Sequence, residues 1–162
     1  MSKELSKGDI YRMYVFDELA KKEKHGLKNL ANYVDSLSDH EVKKICRHLS
    51  HSRKNGVFRF ISEGPDHWIV KTVDISRIRV RSINSRVNDH LSRNKWSLKK
   101  ISKDKKILRL KEFKKKGNIH KRSLYLLAHK RGCKFKLVDG NHRAIKLSCD
   151  GMKEFKLVLP KI

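Results

Sequence analysis

From residue 8 to about residue 52 the apolar positions recur at helical spacing. Ile10, Met13, Tyr14 and Leu19 suit one face of a first helix, which ends at or before His25-Gly26. Leu27, Leu30, Ala31, Val34 and Leu37 share a face of a second. Ser38-Asp39-His40-Glu41 then has the form of a capping box, in which Ser38 caps the helix and Glu41 reaches back to it. The third helix turns Val42, Ile45, Cys46 and Leu49 inward and shows Lys43, Lys44, Arg47, His48 and His51 on its other side.

After Asn55-Gly56 the pattern changes. Residues 57–61 (VFRFI) and 68–73 (WIVKTV) are rich in β-branched and aromatic residues, and Gly64-Pro65 punctuates the stretch between them. The pattern predicts a β-hairpin. Further on, residues 93–122 hold fourteen Lys or Arg against only Asp104 and Glu112. Trp96, Leu98, Ile101, Ile107, Leu108, Leu110 and Phe113 are interleaved with them, which predicts partly helical structure with lysines outward. Near the C-terminus, residues 123–128 (SLYLLA) read as a strand, Lys130-Arg131-Gly132 as a turn, and residues 134–138 as the hairpin partner. Asp139-Gly140 ends that strand. Asn141 to Cys149 reads as a helix, Gly151 as its stop, and residues 154–159 as a last strand.

Charge sharpens this picture. Forty-one Lys and Arg against seventeen Asp and Glu give +24 over 162 residues, while 38% of the residues are hydrophobic. The apolar share is enough for a core. A surface this basic repels itself until a polyanion neutralises it, and nucleic acid is the leading partner because phosphate contacts release counterions. A membrane surface is disfavoured, since no basic segment carries a continuous apolar face, and no run reaches the ~18–20 apolar residues of a bilayer span. The N-terminus has no secretory h-region, and Cys46, Cys133 and Cys149 are too scattered for a disulfide framework or a metal knuckle. A cytoplasmic protein is expected, nucleoid-associated if cellular. Cys46, His48 and His51 do not converge on one helical face and read as one core thiol and two surface imidazoles.

The 139–143 loop offers anion chemistry. Gly140 lets backbone approach a ligand without a Cβ, and the helix start presents N–H groups and a favourable dipole. His142 and Arg143 add a donor and a bidentate clamp, and Asp139 can orient His142, hold a metal or accept a proton. The plainer alternative has Asp139 capping the helix and Arg143 pairing with it.

Three helices followed by a hairpin resemble a winged helix-turn-helix domain over residues 8 to about 74. That resemblance implies that the third helix enters the major groove of double-stranded DNA. Lys43, Lys44, Arg47 and His51 would then face DNA, with Arg53, Lys54 and Arg59 on its phosphates. The segment FKLVDGNHRAIKLSCDGMKEFKLVLP resembles the DG-x-HR segment of the ParB/sulfiredoxin superfamily, and WIVKTVDISRIRV resembles that family's opening strand. This resemblance implies a small mixed sheet with helices and a bound nucleotide (ATP, ADP or CTP), with Mg where there is chemistry. Gly140, Asn141, His142 and Arg143 occupy the phosphate positions, and Asp139 and His142 the catalytic ones. Asn141 stands where sulfiredoxin has its nucleophilic cysteine, which removes sulfinic acid reduction. The fold class expected is therefore α+β, with a winged-helix-like domain over residues 1–73 and a ParB/sulfiredoxin-like domain over 74–162. The function expected is DNA binding coupled to a nucleotide, in plasmid, viral or chromosomal maintenance or regulation. A metal-dependent nuclease, with Asp74 and Asp89 as further acids, and a small-molecule kinase are the rivals. Arg77, Arg79, Arg81, Asn84 and Arg86 are expected on the same ligand or along a DNA groove.

Overall fold

The computed structural model describes residues 3–22, 26–50, 55–110, 113 and 121–162. The chain is of mixed α+β class and falls into two compact units, Met1–Ile69 with Pro160–Ile162, and Val70–Leu159.

In the first unit, β1 (Glu4–Ser6) leads into α1 (Lys7–Ala20). Ser6 Oγ accepts from the Asp9 amide at 3.1 Å, and Asp9 returns the bond to the Ser6 amide at 2.9 Å, so a second capping box starts this helix. α1 buries Ile10, Tyr11, Tyr14, Val15 and Phe16, more of its circumference than the expected face, while Met13 and Leu19 are half-buried. α2 (Leu27–Ser36) and α3 (Asp39–Leu49) follow, joined by only Leu37 and Ser38. Val34, Leu37, Val42 and Cys46 are buried between them and α1. The Ser38–Glu41 box is formed on both sides, at 3.1 and 3.4 Å. Arg12 pins the turn ahead of α3 to α1, donating to the Leu37 carbonyl at 2.8 Å and to Asp39 at 2.7 Å.

The expected hairpin does not form. Residues 57–61 lie in a helix, α4 (Asn55–Ser62), so the winged-helix reading loses its wing. A strand would have put Val57, Arg59 and Ile61 on one face, burying a guanidinium. As a helix, Val57 and Ile61 turn inward one turn apart, and Arg59 meets Glu63 outside at 2.8 Å. Phe58 stacks on Tyr11 with centroids 5.9 Å apart, and Phe60 meets Trp68 edge-on at 5.6 Å. A Cβ on Gly64 would lie 2.6 Å from the Trp68 ring, so the turn needs glycine for Trp68 to bury itself and donate to the Pro65 carbonyl at 2.8 Å. β2 (His67–Asp74) is a strand as expected, but its start pairs antiparallel with β1, Leu5 opposite Trp68.

In the second unit the strand order is β2, β6, β4, β5, β3. A 3-10 turn (Ile75–Arg77) leads from β2 to β3 (Ile78–Arg79), followed by α5 (Ser85–Arg93), α6 (Leu98–Ile101) and α7 (Lys105–Leu108). These short helices bury Val87, Leu91, Leu98, Ile101 and Ile107 and leave Lys99, Lys100, Lys103, Lys105 and Lys106 exposed, as the interleaved pattern predicts, but Leu108 of that pattern is exposed as well. β4 (Tyr125–Arg131) begins two residues later than expected, because residues 121–124 form a 3-10 turn. It turns at Gly132 (φ +59°) into β5 (Lys134–Leu137). α8 (Asn141–Cys149) has the expected bounds, Gly151 (φ +100°) stops it, and β6 (Glu154–Pro160) runs parallel to β4 with Leu126 opposite Leu157. β3 lies parallel to β5, Arg79 beside Lys136. Arg77 places its guanidinium 4.9 Å from the centre of the buried Phe135 ring and donates to the Cys133 carbonyl at 3.0 Å.

Ser38→Ala removes the oxygen that starts α3. It lowers folding stability by about 1 kcal/mol, read as a shift of the denaturation midpoint with an unchanged m-value.

Candidate nucleic-acid interface

Three groups of basic residues stand out, one in the first unit and two in the second. On α3, Val42 and Cys46 are buried, while Ile45 and Leu49, also expected inward, are half-buried. Lys43, Lys44, Arg47 and His48 are all exposed. Lys43, Lys44 and Arg47 form no ion pair among the described residues, while the nearby acids are used elsewhere: Asp39 on Arg12 and Glu41 on the helix cap. Lys44, Ile45, Arg47 and His48 line a shallow depression on this face. Cys46 is buried and His48 exposed, which separates them as the helical spacing requires. His51, Arg53 and Lys54 lie outside the described residues. Arg59 is exposed on α4, not on a wing, and its guanidinium is held by Glu63, which pushes its pKa up.

The 139–143 loop is built as the strand-to-helix turn the sequence suggests. The Val138 and Asp139 amides both donate to the Leu127 carbonyl, at 2.7 and 3.2 Å, which closes β5 onto β4. The cap position of α8 falls on Gly140, in the left-handed region at φ +85°, so the helix starts without a side-chain cap and Asp139 stands one residue before it. A Cβ on Gly140 would lie 2.6 Å from Leu126 Cδ2 and 2.9 Å from Arg143 Nη2. The close approach is therefore to the protein's own arginine, whose Nη2 donates to the Tyr125 carbonyl at 3.2 Å. His142 is exposed and packs on Phe113, centroids 4.8 Å apart. Asn141 Oδ1 accepts from the Arg81 amide at 2.7 Å, tying the loop after β3 to the start of α8. Residues 139–143 are thus brought together at a helix start, where backbone N–H groups and the dipole favour an anion.

Asp139 and His142 share this loop. Among the described residues no three His, Cys, Asp or Glu side chains converge to hold a metal ion. Asp74, a candidate further acid, caps the turn after β2 instead, accepting from the Ser76 amide at 2.8 Å, and the Ser76 hydrogen bonds hold its pKa low. Asp89 is exposed on α5.

The third group was only half visible in the sequence. Arg79 and Arg81 follow the first strand, but Lys95, Trp96 and Lys136 join them only through the fold. β3–β5 pairing sets Lys136 beside Arg79, and the turn after α5 brings up Lys95 and Trp96. That turn is strained. Lys95 and Trp96 have φ of +52° and +59°, a region that costs a residue with a Cβ about 1–2 kcal/mol. Hydrogen bonds hold it: the Trp96 amide donates to the Leu91 carbonyl, the Trp96 carbonyl accepts from the Val80 amide (both 2.9 Å), and Arg79 Nη1 donates to the Lys95 carbonyl. Arg77 is used in packing on Phe135, Asn84 caps α5 by accepting from the Val87 amide, and Arg86 is exposed. Nearby, burial lowers the His129 pKa from its ordinary 6.5, and the Arg131, Lys136 and Arg81 charges lower it further.

Comparison with protein-family profiles, with curated proteins and with solved structures finds no match.

Gly140→Ala forces a Cβ into the left-handed region and against Leu126. It destabilises the fold by about 1–3 kcal/mol, measured by chemical denaturation. His129 gives a pH test. With its folded pKa depressed, the unfolded chain binds more protons, so its contribution to stability is present above about 6.5 and is lost as pH falls through the folded value. NMR titration of the imidazole should show a midpoint below that of a free histidine.

Proposed function

We propose that this protein binds double-stranded DNA, with α3 set against the duplex and the 139–143 loop taking a phosphate group. The observation that carries the reading is the α3 face: Lys43, Lys44 and Arg47, exposed on a well-capped helix in a chain of net charge +24. Three cations held at helical spacing with no ion pair among the described residues repel one another, and a row of phosphates relieves that repulsion. α3 follows α2 after a short connection, and in the helix-turn-helix order that the sequence resembles the second helix enters the groove. Backbone and phosphate contacts from lysine and arginine give affinity first and sequence preference second.

The loop supports the second part of the reading through its helix-start amides and through Arg143. The resemblance to the ParB/sulfiredoxin superfamily makes a nucleotide its first candidate source of phosphate, and DNA the other.

Duplex affinity measured against salt tests the α3 assignment. Replacing Lys43, Lys44 and Arg47 together by alanine should flatten the slope of log K against log salt by about 2–3, and weaken binding across all sequences alike. An unchanged slope would remove α3 from the interface. In the same preparation, ATP, ADP and CTP are titrated with Mg²⁺. A nucleotide that belongs to the loop binds this triple variant normally and binds Arg143→Ala more weakly.

A further inference from the structure

A hollow of about 510 Å³ opens on the surface of the second unit, lined by Arg79, Arg81, Lys95, Trp96 and Lys136 over the buried Val80. Three separate pieces of chain build it: β3 with the loop after it, the left-handed turn after α5, and β5. Among the described residues no acidic side chain lines it. Arg81 and Lys95 are exposed at the rim, while Arg79, Trp96 and Lys136 are half-buried.

Two chemistries meet here. Four cations around one depression repel each other until an anion sits among them. The half-buried Trp96 lines the same hollow, and an indole is a ring on which a planar aromatic group can stack. The fold maintains this placement against a cost, since Trp96 is held in a left-handed conformation that disfavours any residue with a Cβ. A ligand matching both features carries phosphate next to a planar base.

The surroundings select its form. In a duplex the bases are already stacked on one another, so the indole would find no partner. Sites for small molecules enclose most of their ligand, whereas this hollow is open, with exposed cations on its rim. Such an arrangement suits a strand that passes across the surface with its phosphates on the rim and one base turned in.

We propose that this hollow binds one unit of single-stranded nucleic acid, its base lying on Trp96 and its flanking phosphates on Arg79, Arg81, Lys95 and Lys136. The site is distinct from α3, so the protein would grip paired and unpaired strands with different residues. The Arg81 and Lys136 charges also reach His129, whose imidazole reports when an anion arrives.

The full-length chain can be titrated with a short oligothymidylate, with thymidine monophosphate and with duplex DNA, reading tryptophan fluorescence and anisotropy. Trp68 is fully buried, so quenching reads Trp96. The oligomer should quench the emission and raise the His129 midpoint in NMR titration. Trp96→Ala should weaken oligomer binding by about 5- to 150-fold, with Trp96→Phe restoring most of it. Arg81→Gln and Lys136→Gln should each flatten the salt slope by about 0.7. Combined alanine replacement of Lys43, Lys44 and Arg47 should leave the quenching in place. That result, with duplex binding unaffected by the same replacement, would overturn only the α3 reading. Wild-type oligomer affinity in both Arg81→Gln and Lys136→Gln, with no quenching in the wild type, would overturn the hollow even if Trp96→Ala fails to fold. Monophosphate binding as tight as the oligomer's would overturn the assignment to a strand.

Discussion

Forty-one cations on 162 residues set the constraint under which everything else folds. Two unit charges 4 Å apart in water repel by about 1 kcal/mol, and more when drawn toward a low-dielectric interior. Each element therefore has to bury its apolar side without carrying a lysine in with it. α3 does so with Val42 and Cys46 inward and Lys43, Lys44 and Arg47 outward. α6 and α7 do so in four residues each, anchored by Leu98, Ile101 and Ile107. α4 obeys the same rule. A strand through residues 57–61 would align Arg59 with Val57 and Ile61, whereas the helix separates them.

Acidic residues are the complement of this constraint, and they are used locally. Asp9 and Glu41 complete capping boxes, Asp74 caps a 3-10 turn, and Asp104 caps α7 while accepting from Asn94 at 2.8 Å. Hydrogen bonds to these last two carboxylates hold their pKa values low. Asp39 is taken by Arg12. Carboxylates satisfying amide donors at helix starts stabilise the backbone, but they do little to neutralise lysines on the outer faces. Even with every acid paired to a cation, the net charge of +24 would remain, so the surface stays basic.

How much of this was legible in the sequence depends on distance along the chain. The C-terminal region could be read closely because its signals are local: Gly140 and Gly151 bracket α8, and the strands on either side are short apolar runs. The Ser38 box was equally plain. Residues 57–61 satisfy either period, because four of the five are β-branched or aromatic. The signal that decides the matter, Arg59 and Glu63 four apart across the segment's end, lay just beyond that window. Of the cationic hollow only Arg79 and Arg81 were legible, since parallel pairing of a two-residue strand with β5 leaves no trace in local pattern.

Asn141 shows how a motif residue acquires a second meaning once the fold is known. Beside Gly140 and His142 it reads as part of an anion loop. Its side-chain oxygen in fact accepts from the Arg81 amide at 2.7 Å, two residues beyond Arg79 and at the edge of the hollow. The start of α8 is thereby fastened to the segment that carries two of the hollow's cations. Two basic groups that look separate in sequence are thus joined by one hydrogen bond.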